Sequence, residues 1–351
     1  MKFDIAIVGH MADPLSTAIL TLSRAYDLNV CFFKLSDLKI EEEPVCADAI
    51  YWNGREMAHT LAEIPPICEA RFSVNSTKIA SIPELREKLE RLRQITRFTE
   101  YGSLGKVAIS RQLLQSPLYD LTIPTFDLKN YAEFRKYAAT LKKSILKPSG
   151  GRQGLCVSKI DAIGAPPVIS RGNSPEDFSS DDWDAYCETL RSKRLGNPIL
   201  QPRLDFHLDD AHAVDFRLLV SRGASGGWEK VAIYARIGAN GTVSNLSRGG
   251  YVADPEEILQ MIAPGKAAQL LAELEEYCVT IPETIQRFRS TTISCLGIDI
   301  GIDRESQKPY ILEANTIPGT KYHVWHLAEK KVQYYTYLVA QGAAAAAPTA
   351  D

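Results

Sequence analysis

The chain has 351 residues, 45% of them hydrophobic and 24% charged, which allows two or three subdomains around a sizeable core and excludes a disordered or fibrous protein. Its 40 basic and 43 acidic residues leave a formal charge of −3, so no overall basic field is present to hold nucleic acid. Seven cysteines, an odd number with no CxxC pair and no zinc-like spacing, read as reduced and mostly buried thiols.

In chain order, the run from Phe3 to Val8 reads as a strand, about Pro14 to Ala25 as a helix, and Asn29 to Phe33 as a second strand. This is an α/β opening. It carries no basic segment, apolar segment and cleavage site of a secretory leader, and no apolar run approaches the ~20 residues of a membrane span. A cytoplasmic location without membrane contact is the expectation. Only one glycine lies between Val8 and Pro14, so the GxGxxG dinucleotide fingerprint is absent and a nicotinamide site is disfavoured. A charged helix follows from about Pro83 to Arg97, with Leu85, Leu89 and Leu92 at helical spacing and a solvated arginine face. Gly102 and Gly105 then mark a domain boundary near residue 103.

Beyond it the pattern alternates: a short helix from Lys106 to Gln115, a strand-like Leu121 to Thr125, a helix from about Tyr131 to Lys142 and a strand from Ser144 to Lys147. A polar stretch near Ser179 to Asp184 leads to a helix ending about Arg194. Strand-like segments follow at 198–202, 214–220, 230–237 and 295–300. A helical block at about 264–289 and a last helix at about 324–340 complete the order, and the alanine-rich tail is expected to fray.

Several segments set charge inside apolar runs. Leu296-Gly297-Ile298-Asp299-Ile300 and Tyr310-Ile311-Leu312-Glu313-Ala314-Asn315 carry two acids and an amide. Strand alternation puts Glu313 and Asn315 on one face, where Asp299 can meet them from a neighbouring strand. Such hard oxygen ligands suit magnesium, whose other positions are filled by water and substrate phosphates, whereas the bland alternative is a strand end with solvated acids. Ile145 to Ile160 reads as a hairpin in which Lys147 supplies charge and Ser149, Gly150, Gly151, Arg152, Gln153 and Gly154 form a loop able to approach an anion. An ordinary β-turn is the competing reading, and the lysine precedes the glycines, so this is no Walker A loop. In Asp215-Phe216-Arg217 alternation puts Asp215 and Arg217 on one face, either as an ion pair or as ligand contacts. Arg236 sits in another apolar strand ahead of Asn245, Arg248 and a glycine turn. Guanidinium forks suit phosphate at Arg236 and a substrate carboxylate at Arg248, although each arginine alone also reads as structural. The six histidines form no HExxH or nucleophilic triad signature. His323 and His326 are read first as helix-surface residues and second as lining an acceptor pocket, with His10 a weaker candidate at a strand end.

Taken in order, Lys106, ILKPSGGRQG, ILQPRL, DFRLLV, ARIGANGTVSNLSRGG, LGIDIGID and ILEANTIPG resemble the ATP-grasp superfamily. Within it the chain resembles the YheC/YheD-like group, and its NLSRGG piece is similar to ribosomal-S6-modification-type glutamate ligases. The resemblance covers about residues 104–320 and rests on several motifs in family order. It implies an α/β ATP-grasp fold with an N-terminal Rossmann-like pre-ATP-grasp domain at 1–103, a small subdomain with a glycine-rich lid at 104–197, a large subdomain with the magnesium and phosphate site at 198–340, and a flexible tail at 341–351. It further implies phosphate-reaching lysines at Lys106 and Lys147, a phosphate lid at 149–154, and adenine beside Gln201, Pro202, Arg203 and Leu204. Arg217 falls among the nucleotide contacts, Arg236 and Asn245 at the γ-phosphate, and Asp299, Glu313 and Asn315 at magnesium, with manganese an alternative. The acid many relatives carry in the hinge is replaced by Gln201-Pro202, which leaves nucleotide preference open, and Asp205, His207, Asp209 and Asp210 all lie where ribose is held. The family chemistry is carboxylate attack on ATP to give an acylphosphate, then displacement of phosphate by an amine. The expected partners are small-molecule or peptide carboxylates and amines, with a homodimer as the base-rate assembly. Alternatives of other classes are an ATP-grasp kinase and a non-catalytic coat or scaffold protein.

Overall fold

The computed structural model describes residues 1–9, 13–72, 79, 81–99, 106–150, 155–163, 167–171, 174–209, 211–238, 249–319 and 322–342, with the side chains of 106–108, 171 and 174–175 outside that description. The boundary expected near residue 103 lies outside the described residues. Three sheets and eight α-helices are present among them.

The first sheet has the order β4-β3-β2-β1-β5-β6, from β1 (Ile5–Gly9), β2 (Val30–Lys39), β3 (Cys46–Trp52), β4 (Met57–Glu63), β5 (Ile67–Ala70) and β6 (Arg97–Thr99). Strands β2, β1, β5 and β6 run parallel, and β1 is wholly buried, as an apolar strand covered on both faces must be. Helix α1 (Pro14–Ser23) starts where the sequence places it, because Asp13 caps its first turn and Pro14 presets the helical φ. Helix α2 (Pro83–Ile95) buries Leu89 and Leu92 and leaves its arginine face outward, as the spacing predicts. The β3–β4 hairpin was not expected. Its strands are short and interrupted by polar and small residues, but its turn does carry a signal: Asn53 accepts from the N–H groups of Arg55 and Glu56, and Gly54 has φ +101°.

The second sheet, β11-β10-β9-β8-β12-β7, is antiparallel throughout and comprises β7 (Phe126–Asp127), β8 (Lys143–Pro148), β9 (Ser158–Asp161), β10 (Val168–Arg171), β11 (Ser174–Asp177) and β12 (Pro198–Pro202). It packs Leu146, Ile160 and Leu200 against Phe134 of α4 (Tyr131–Leu141) and Trp183 and Tyr186 of α5 (Ser180–Ser192). The acidic stretch before α5 is in fact its beginning: Ser179 and Asp182 form a capping box. The strand expected at 121–125 is absent; a 3-10 turn at Tyr119–Leu121 leads to the two-residue β7. Helix α3 (Lys106–Leu113) precedes it.

The third sheet, β15-β14-β13-β16-β17, holds β13 (Val214–Arg222), β14 (Trp228–Ile237), β15 (Tyr251–Ala253), β16 (Cys295–Ile302) and β17 (Pro309–Asn315), all antiparallel. One face carries Phe216, Leu218, Val220, Ala235, Ile298 and Ile300 into the largest core cluster, under α6 (Pro255–Ile262) and α7 (Ala267–Arg287). Alternation therefore sends Asp215, Arg217, Arg236 and Asp299 to the opposite face.

Helix α8 (Val324–Ala340) joins the first sheet to the third. It packs on α1 and β13, sharing a core with Ile5, Ile7, Ile19 and Leu219. At its centre Lys331, 1% exposed, donates to both Glu69 carboxylate oxygens at 2.7 and 2.8 Å and to Ser294 Oγ at 3.0 Å, while Tyr335 donates to Glu69 Oε2 at 2.7 Å. A buried charge pair of this kind is costly to break and so fixes which surfaces meet.

Candidate active site

The polar face of the third sheet is built by register. Tyr234 pairs with Arg217, Arg217 with Asp299, and Asp299 with Glu313, so four side chains form one row across four strands. One position along, Arg236 pairs with Asp215, and on the other side Gly297 pairs with Asn315. Between Asp299 and Ile300 the register with β17 shifts, which places Leu312 as an extra residue and keeps Glu313 opposite Asp299.

These groups are paired rather than solvated. Arg236 grips Asp215 through Nε at 2.6 Å and Nη2 at 2.8 Å, and its Nη2 also reaches Asp299 Oδ2 at 2.8 Å. Arg217 grips Asp299 through Nε and through Nη2, the latter at 3.1 Å. Two cross-strand pairs are thus linked through Asp299, Arg236 with Asp215 and Arg217 with Asp299. Asp215, Arg217 and Asp299 are each buried. Burial works against the Arg236 charge, but the Asp299 and Asp215 carboxylates outweigh it and hold this guanidinium above its ordinary value. Gly297 leaves room for the arrangement: a Cβ there would lie 2.7 Å from Pro318 Cβ and 2.8 Å from Arg217 Nη1.

For a divalent cation the donor chemistry fits: Asp299 and Glu313 stand opposite each other and Asn315 lies two residues further on the same face, giving hard oxygen donors. Both Asp299 oxygens already accept from arginine, yet a carboxylate has about four lone-pair sites, so an arginine and a cation can share it. Among the described residues no group of three His, Cys, Asp or Glu gathers as a metal site.

In the second sheet Lys147 pairs with Ile199 and Gln201 with Ile145, so Lys147 and Gln201 share a face while Leu146 enters the core. Ser149 N–H donates to Asn197 O at 2.7 Å, Ser149 Oγ accepts from Asn197 N–H at 2.9 Å, and Gly150 N–H donates to Leu195 O at 2.9 Å. The start of the glycine loop is thus anchored. Gly151, Arg152, Gln153 and Gly154 lie outside the described residues, as do Asn245, Arg248, His10, Asp210 and the Lys106 side chain. Gln201 donates to Thr125 Oγ1 at 2.6 Å. Arg203 spends its guanidinium on Asp161 at 3.1 and 3.2 Å and its N–H on Lys143 O. Pro202 ends β12 and Leu204 follows it, both half-buried. Asp205 is engaged by His207 and Arg304, and Asp209 by His212.

A cleft of about 650 Å³ opens beside the charged face, between the start of α1 and the start of α8, with Asp13, Thr17, Tyr322, His323, Trp325 and His326 in its wall. Both histidines are therefore in a cleft, although the sequence reading ranked them first as helix-surface groups; His326 is exposed and His323 half-buried. The His323 ring lies on the Tyr234 ring, centroids 5.1 Å apart, and the His326 ring follows at 5.8 Å. Burial, reinforced by His326, pushes the His323 imidazole below its usual value. Asp13 accepts from Arg71 at 2.8 Å and caps α1; although burial opposes it, the Arg71 guanidinium holds this carboxyl below the usual range. Tyr234 and Asp13 were missed at the sequence level. Tyr234 lies two residues before Arg236 in an alternating strand, and Asp13-Pro14 is a helix-start signal, so both signals were there.

Comparison with known proteins shows the family and the fold. The family model described as YheC/D-like ATP-grasp matches residues 95–340, more than half of the chain. Among solved structures, the ATP-grasp ligase PsnB, in complex with a phosphomimetic variant of its minimal precursor, magnesium and ADP, is similar at 12% identity and TM-score 0.55, covering 95% of this chain and 98% of its own. D-cycloserine synthetase DcsG is similar at 14% identity and TM-score 0.51, covering 94% and 99%. N5-carboxyaminoimidazole synthetase from Staphylococcus aureus is similar at 11% identity and TM-score 0.51, covering 96% and 78%. At these identities the likeness establishes the fold. No curated protein matches the sequence.

Proposed function

The chain belongs to the YheC/D-like ATP-grasp family, and from that premise we propose that it is an ATP-dependent carboxylate–amine ligase. In this reading a substrate carboxylate attacks the γ-phosphate, ADP leaves, and an amine displaces phosphate from the acylphosphate to give an amide. The observation that carries it is the buried Asp215–Arg236–Asp299–Arg217 network on the face of the third sheet opposite its core, beside Glu313 and Asn315. A scaffold gains little from three buried charges and a fourth that is half-buried, since apolar replacements of similar volume are often as stable.

Arg236 and Arg217, held in place by their carboxylates, would meet the phosphoryl oxygens with no reorganisation as charge spreads in the transition state. Asn245 would add a γ-phosphate contact and Arg248 would bind the substrate carboxylate. Asp299, Glu313 and Asn315 would hold a magnesium ion, which neutralises phosphate charge when bound. Lys147 and Lys106 would reach the phosphates, with Ser149 to Gly154 closing over them. The adenine would lie along Gln201 to Leu204 and contact their backbone, because the Arg203 side chain is committed to Asp161. Residues 104–197 and 198–340 would be the two halves of the grasp. PsnB is seen with a precursor peptide and magnesium, which supports a peptide or amino-acid carboxylate as substrate here.

The test is incubation with ATP, magnesium and pooled amino acids and short peptides, following ADP, phosphate and new masses. ADP and phosphate with a product one water lighter than its two substrates support the ligase. A phosphorylated product would mean a kinase, and nucleotide binding without ADP formation would mean a scaffold.

A further inference from the structure

Three features outside the phosphate-binding face stand out: the buried Glu69–Lys331–Tyr335 cluster, the exposed apolar edge at Leu155, Val157 and Ile163, and the ring ladder in the cleft. The first is satisfied within itself and the second shows nothing that covers it. The third leads from the charged network to solvent.

We propose that His323 is the proton acceptor for the attacking amine, with the cleft between α1 and α8 as the amine site; this role rests on the ligase reading. Tyr234 is the register partner of Arg217, and its ring carries the His323 imidazole at 5.1 Å, so the imidazole stands one ring away from the groups assigned to the phosphoryl oxygens. On its other side the imidazole opens into the cleft. At the start of α8 the His323 side chain makes no cap hydrogen bond.

The groups around it favour a neutral ring. Tyr234 faces it from β14, with Arg217, Arg236, Asp215 and Asp299 behind that ring. His326 and Tyr322 flank it on its own segment, and Asp13, paired with Arg71, lies across the cleft on α1. A neutral imidazole is what a base for an alkylammonium must be, and burial together with His326 keeps protonation unfavourable. Trp325, 57% exposed, and Tyr322 give the cleft an aromatic rim that suits an ammonium or an apolar side chain.

The step balances. An alkylammonium gives one proton to the free ring nitrogen of His323, leaving a neutral amine and an imidazolium. The amine nitrogen then bonds the acyl carbon as the carbon–oxygen bond to phosphate breaks. The nitrogen's displaced proton leaves with the phosphate as hydrogen phosphate, and the imidazolium returns its proton to solvent.

The test compares two nucleophile probes on the full chain with ATP, magnesium and the pooled natural amino acids as carboxylate donors. Hydroxylamine is largely unprotonated at neutral pH and needs no base, whereas methylamine is almost entirely an ammonium. His323→Ala should lose N-methylamide formation at neutral pH by on the order of 10²-fold, the usual scale for one acid–base group, and hydroxamate formation by far less. Imidazole in solution should restore the methylamide, which a structural role would not allow. Equal losses with both probes, no loss with either, or no rescue by imidazole overturns the role while leaving the ligase in place. No ADP release from the unmodified chain with every donor would overturn the ligase reading and this role together.

Discussion

Asp299 is the residue on which the polar face depends, because both Arg217 and Arg236 close on it and it is buried together with Arg217. Asp299→Ala should cost about 3–5 kcal/mol in urea unfolding, the scale for leaving buried charges without their partner. Glu313 is a sharper probe of chemistry, since it is half-buried and stands opposite Asp299 at the end of the row. Glu313→Gln should lower ADP release by roughly 10²-fold, the cost of removing one preorganised electrostatic group; unchanged turnover would remove it from the metal set. His323 adds a pH dependence with a defined sign. Its folded value lies below that of a free imidazole, so between the two the unfolded chain binds more protons. Stability is therefore full above the unfolded imidazole value of about 6.5 and declines as pH falls below it. His323→Gln should flatten that decline in unfolding curves measured from neutral to mildly acid pH. Residue placement was largely legible in the sequence, because the period of two put Asp215, Arg217, Arg236, Asp299, Glu313 and Asn315 on shared faces. Pairing was not: which arginine grips which aspartate depends on register between strands far apart in the chain, and Tyr234 passed unnoticed because a tyrosine in a strand reads as packing.

Among elements, β16 and α8 make the most specific commitments. Gly297→Ala would force a Cβ against Pro318 and Arg217, so it should displace the Arg217 fork and destabilise by about 1–3 kcal/mol, the range for overpacking a tight site. A melting curve with activity measured in parallel would show both effects; wild-type values in each would mean that Pro318 yields instead. Helix α8 offers a double-mutant cycle. Lys331→Met leaves the Glu69 carboxylate buried beside Tyr335 and should cost about 3–5 kcal/mol. Adding Glu69→Gln should recover much of that loss, since the two side chains are in direct contact and their effects cannot simply add. The long apolar strands and two of the helices were readable in advance because their signals are local: the start at Pro14 for α1, leucine spacing for α2, apolar runs for β13, β14 and β16. The β3–β4 hairpin and the β10–β11 pair were missed because strands at and next to a sheet edge, interrupted by polar and small residues, owe their conformation to a neighbour rather than to their own composition.

In the whole molecule, a mixed N-terminal sheet with four parallel strands, an antiparallel sheet bearing Lys147 and Gln201, and an antiparallel sheet bearing the charged row give the ATP-grasp architecture that the motif order implied. The final helix ties the first and third sheets together and walls the cleft that opens beside the charged row, a relation that no local pattern encodes. None of the described helices is long and apolar enough to cross a membrane. Substrate identity is the least legible property, because the cleft proposed as the amine site is assembled from segments about 300 residues apart in the chain, Asp13 to Thr17 and Tyr322 to His326. The claim that unites the three scales is that a carboxylate is activated by phosphoryl transfer on this polar face. Oxygen tracing tests it most directly, with pooled amino acids carrying 18O in both carboxylate oxygens, ATP, magnesium and an amine acceptor, and mass analysis of phosphate and product. The account predicts one labelled oxygen in the released phosphate and one retained in the amide. Unlabelled phosphate alongside an amide, or label kept entirely in a phosphorylated product, would contradict it.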